Sequence, residues 1–181
     1  MRTGHQVIAS AIGVFKQYKL LAEKAMLQVD ELGIHWKPDP ESNSIYLIVK
    51  HLSGNMQSRW TDFLTTDGEK PWRNRDEEFI EHNISKNELY FLWEKGWMIL
   101  LNTLETLTED DLSKIVLIRG EAHSVLEAIN RQIAHYCYHI GQIVYIAKTL
   151  QSTQWQTLSI AKGMSEAFNI DMNQKANKLD S

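Results

Sequence analysis

Along the chain, long stretches in which apolar residues recur every three or four positions alternate with shorter stretches in which they do not. That recurrence puts the apolar side chains on one stripe of an α-helix. In the first stretch, residues 4–32, the stripe runs from Val7 through Phe15, Tyr18, Leu21, Ala25 and Met26 to Val29. A second helix is expected after Pro40, capped by Ser42 or Asn43 and reaching residue 64. A third opens on a capping box, Ser85 with Glu88, and continues to about residue 107. The fourth opens on another, Ser124 with Glu127, and ends near Leu150. Four helices of roughly 20 to 30 residues are the proportions of a bundle.

The connections add topology. Residues 65–84, TTDGEKPWRNRDEEFIEHNI, hold nine charged side chains, a glycine and a proline, and show no stripe. A segment of that length can span about 66 Å, against about 30 Å for a 20-residue helix. It can therefore return along the whole bundle and leave helices two and three parallel. The β-branched run KIVLIRG, 114–120, suits a short extended piece. A packed loop and short helix are expected after Leu150, followed by a frayed polar tail over 171–181. The expectation is one all-α domain over residues 1–170.

Composition narrows the function. With 181 residues the chain can bury one full core. A net charge of −4 with scattered basic residues gives no footprint for nucleic acid. No apolar run approaches the roughly 20 residues that span a membrane. One cysteine fits a reducing compartment, and a cytoplasmic protein is expected. The opening residues resemble a signal peptide, but their stripe continues well past the apolar run, as a cleaved segment has no need to do.

Candidate chemistry centres on RQIAHYCYHIGQ, residues 131–142. His135 and His139, four apart, project from one helix face and can share one ion. Cys137, two residues from each, points away and reads as a small packing residue. Both histidines lie on the margin of the apolar arc of their helix, beside Arg131, Gln132 and Gln142. In the second helix His51 borders its apolar arc in the same way, on a stripe with Ser44, Asn55 and Ser58. Three imidazoles with an open fourth position are the pattern of a working metal site. The bland alternative is three surface or capping histidines, and spacing alone leaves both open.

HLSGN, 51–55, followed by HYCYHIGQI, 135–143, resembles the DinB/YfiT-like superfamily of candidate metalloenzymes. NRDEEF (74–79), residues 118–144 and SIAKGMSEAFN (159–169) look like a bacterial branch known only as a domain of unknown function. The resemblance implies an up-down-down-up four-helix bundle with a long crossover between helices two and three, and a homodimer. It places the metal ligands on His51, His135 and His139. It further implies a zinc or nickel ion and, by analogy with thiol-dependent relatives, a low-molecular-weight thiol such as bacillithiol acting on a small-molecule substrate.

Asn55, Arg131 and Gln142 are candidates to orient substrate or support the ligands, with Arg131 suited to a substrate carboxylate. Glu121 is a candidate general base, with a solvated loop carboxylate as the better description. Trp93 and Trp97 either wall a pocket or belong to the core. His5, His35, His82 and His123 have no partner spacing and read as surface or capping residues. Two other functions stay open: a non-catalytic metal-binding or stress-response protein, and a metal-dependent hydrolase. A carboxylate-bridged di-iron bundle is excluded, because no glutamate stands three residues before any histidine.

Overall fold

The computed structural model describes residues 3–179. Four long helices, α1 (Thr3–Leu27), α2 (Ile45–Trp60), α3 (Lys86–Thr106) and α4 (Val125–Gln151), surround one core. A two-stranded sheet, β1 (Ile115–Ile118) with β2 (Glu121–Ser124), leads into α4, and α5 (Ser165–Leu179) follows it.

Both capping boxes form as the sequence predicts. Ser85 and Ser124 each accept from the backbone N–H three residues on, and Glu88 and Glu127 each reach back to the cap. Helix α2 is capped instead by Ser44, whose hydroxyl accepts from the Leu47 N–H. Neither expected cap, Ser42 or Asn43, takes that place, and Ser42 is drawn into a turn with the Asp39 carboxylate. The first two helices also end earlier than expected. Beyond α1 the Asp30 carboxylate captures the Gly33 N–H and starts a separate turn. Beyond α2 the chain reverses at Asp62, φ 49°, whose carbonyl accepts from Thr65 and Thr66.

The extended run at 115–118 is a strand, but its antiparallel partner at 121–124 went unpredicted. The turn between them is Arg119–Gly120, both at positive φ, as a tight primed hairpin requires. The Asp67 carboxylate accepts from both their N–H groups and compensates for arginine in that conformation. At the other end, the segment expected as a frayed tail is helical as far as Leu179.

Helix packing sets the stage for the site. α2 lies mainly against α3, and α1 against α4, with α2 also meeting α4. Ser53 donates to the Leu92 carbonyl, and Thr103 to that of Trp60, so contacts advance in step along α2 and α3. Between α2 and α4, Trp60 Nε1 donates to the Tyr136 hydroxyl, which donates to Asn55 Oδ1. All three side chains are buried, and this chain of hydrogen bonds fixes the register of the two helices. Of the two readings open for Trp93 and Trp97, the core is where they lie, at 1% and 0% exposed. Phe15 and Tyr136 each pack edge to face on Trp97 and are tilted against each other, beneath the α2–α4 contact.

Candidate metal centre

The register set by Asn55, Tyr136 and Trp60 brings His51 of α2 to the pair on α4. One ligand nitrogen from each of His51, His135 and His139 lies within 4.8 Å of the others. His51 is buried, and the other two are partly buried. The Nε2 atoms of His51 and His135 are 3.3 Å apart. Two imidazole nitrogens at 2.0–2.1 Å from one tetrahedral ion stand about 3.3–3.4 Å from each other. The His51–His135 spacing therefore fits a shared ion.

Two of the three rings are oriented from behind. His51 Nδ1 is 2.8 Å from Glu78 Oε2. A carboxylate can only accept, so the ring donates there and presents Nε2 to the other histidines. His139 Nδ1 is 2.8 Å from Gln142 Oε1, which likewise leaves Nε2 for the site. A carboxylate or amide oxygen behind a ligating imidazole fixes its tautomer and raises its basicity.

Glu78 comes from the long crossover, in the 3₁₀ turn Glu77–Phe79, and is 6% exposed. Its carboxylate is gripped from the other side by Arg73, with Nε 2.7 Å from Oε1 and Nη2 2.9 Å from Oε2. Burial pushes the Glu78 carboxyl upward, but hydrogen bonds from His51 and Arg73 outweigh it and hold it below the usual value. Gly54, one turn past His51, admits this approach, since a Cβ there would overlap the Glu78 carboxylate. Sequence periodicity missed Glu78 because it reports only neighbours along one helix. The pointer was the unusual charge of a connection long enough to pass the site.

Electrostatics favour ligation. Burial first, and then His139 and His51, push His135 down to about 3. Burial also lowers His139, against the opposing hydrogen bond to Gln142. Both rings are therefore neutral at physiological pH and keep lone pairs for a cation.

The other predicted residues fall as follows. Gln142 supports His139, and Asn55 is held by Tyr136 at the edge of the site. Arg131 is half-exposed, 3.7 Å from Glu121. Glu121 is solvated and paired with His123 and Arg131, away from the three rings. Cys137 meets Tyr18 of α1, on the side of α4 away from the histidines, and burial raises its thiol. His5 and His82 are exposed, the latter bonded to Glu77. Of the two others read as surface or capping residues, His35 ties Glu81 to the Ile84 carbonyl and His123 meets Glu121 and Arg131.

Two cavities flank the centre. One of about 600 Å³ is walled by Trp36, Tyr138, Tyr145 and Ile146 and reaches Gln142. The other, about 190 Å³, opens on His51 and His135. No helix among the described residues is long and apolar enough to cross a membrane. No curated protein matches the chain. Over residues 2–164 the sequence matches the model of a family described as protein of unknown function, DUF1572, and the chain belongs to that family.

Proposed function

We propose that the chain is a cytoplasmic metal-dependent enzyme of the DinB/YfiT-like kind, a single bundle domain over residues 1–170 with up-down-down-up topology. His51, His135 and His139 hold one divalent ion, zinc or nickel. The observation that carries this reading is the convergence of three ligand nitrogens within 4.8 Å, with two of the rings fixed from behind by Glu78 and Gln142. A surface cluster of histidines has no need of such support.

When bound, a divalent ion on three imidazoles supplies Lewis acidity at an exchangeable position and lowers the pKa of a small thiol or water there. The protein's part is orientation. Glu78 holds the His51 proton on Nδ1, Gln142 does the same for His139, and Arg73 keeps Glu78 in place. The flanking cavities give a small molecule room to approach without unfolding a helix. The leading chemistry is transfer of a low-molecular-weight thiol, of the bacillithiol type, to an electrophilic substrate. It rests on the resemblance of HLSGN and HYCYHIGQI to the motifs of thiol-dependent relatives.

The test is incubation of metal-loaded and metal-stripped protein with bacillithiol and a panel of electrophiles. Adduct formation is expected only with metal, and formation that ignores the metal refutes the transferase. Metal binding without turnover of any thiol or ester substrate would instead mark an ion that staples α2 to α4. The same kinship suggests a homodimer, which light scattering decides.

A further inference from the structure

The smaller cavity beside the histidines is lined by five arginines: Arg59, Arg73, Arg75, Arg119 and Arg131. They come from α2, the crossover, the hairpin turn and α4, so no single helix face accounts for the cluster. Arg73 is bound by Glu78, Arg119 lies 3.1 Å from Glu69, and Arg131 lies 3.7 Å from Glu121. Among the described residues neither Arg59 nor Arg75 has a carboxylate within 4.0 Å, although Glu69 and Asp67 lie near enough to Arg59 to be felt electrostatically. Arg75 lies over the Phe79 ring.

Arg59 is the telling residue. It is 4% exposed, and its Nε and Nη1 are buried without a hydrogen-bond partner among the described residues. Gly68 lets the crossover backbone lie against this guanidinium, where a Cβ would overlap it. A buried charge with idle donors is costly to the fold and persists where something outside the chain satisfies it.

We propose that this cavity binds the oxyanion group, carboxylate or phosphate, of the enzyme's small-molecule substrate and so places the rest of that molecule beside the three histidines. Planar guanidiniums form paired hydrogen bonds to such groups, and a cavity of about 190 Å³ holds one head group and little more. The identification of the anion as substrate rests on the metal-enzyme reading; the binding site itself does not.

The experiment is calorimetric titration of inorganic phosphate and of succinate, in low-salt buffer, into zinc-loaded and metal-stripped wild type, with tetramethylammonium as control. One saturable anion site per chain is expected in both forms, with no binding of the cation, and the tighter probe identifies the group. The Arg75→Gln, Arg131→Gln double variant, changed at exposed positions, should weaken the anion about tenfold or more. Arg59→Met should abolish binding and raise the Tm of the anion-free protein, the opposite of what a purely structural arginine would do. If Arg59→Met does not fold, the double variant decides. Absence of binding by both probes, or equal affinity in the double variant, overturns the proposal. Zinc stoichiometry, measured on the same samples, reports separately on the metal reading.

Discussion

Replacing Glu78 by glutamine probes the centre without touching a ligand. The change keeps the shape of the side chain and removes its charge. The carboxylate is 6% exposed and bonds His51 at 2.8 Å and Arg73 at 2.7 and 2.9 Å. An amide keeps one acceptor oxygen, which at the Oε2 position still serves His51 and Arg73 Nη2, but its NH2 then faces Arg73 Nε and that bond is lost. The Arg73 side chain is only 2% exposed, and breaking a buried pair outright costs about 3–5 kcal/mol. Here Glu69, 3.5 Å from Arg73, and the remaining amide oxygen limit the loss to about 2–3 kcal/mol. Zinc affinity should fall about 10- to 100-fold, as for other supports of a ligating histidine. Stability is read by urea unfolding of metal-free protein, and affinity by competition with a chromogenic zinc chelator. Glu77→Gln, changing the exposed neighbour, should move stability by about 0.5 kcal/mol or less and leave zinc affinity alone. A zinc affinity in Glu78→Gln within twofold of wild type would show that the crossover carboxylate does not support the site.

Three further outcomes follow from the same geometry. Gly54→Ala, which helix propensity alone would make stabilising by about 1 kcal/mol, should destabilise and lower zinc affinity, because the new methyl displaces Glu78; thermal melts and chelator competition give the sign. His135→Ala with His139→Ala should empty the site by elemental analysis, whereas His5→Ala should retain about one ion per chain. The Tm of metal-free protein should fall as pH drops from about 6.5 toward 3. The folded state holds His135 neutral over that window while the unfolded chain takes up the proton, so acid favours unfolding. The slope should flatten in His135→Ala, and an unchanged slope would remove His135 as its source.

Much of this architecture was legible in the sequence, because its signals were local. The apolar stripes and both capping boxes are patterns within one element, and they located four helices. Helix ends were missed where a side chain nearby in sequence changed the bonding, as Asp30 and Asp39 do. The hairpin was half seen: its turn is Arg–Gly rather than the usual Asn–Gly, and is held by Asp67, more than fifty residues away. The histidines were found by their spacing and their margin on an apolar arc. Gln142, one turn from His139, was found with them, but Glu78 was not, since it meets His51 across 27 positions and no periodicity links them. The arginine cluster is hidden for the same reason, drawn from four separate regions of the chain.

The crossover has a mechanical consequence. A single peptide-bond cut within residues 61–85 would leave every helix whole, yet the carboxylate behind His51 would then hang from a loose end instead of a closed span. Such a nicked protein should keep its helical signal on circular dichroism and hold its ion more weakly. Exchanging the segment for a flexible spacer of equal length should do the same, so in this chain the connecting rope is itself a working part.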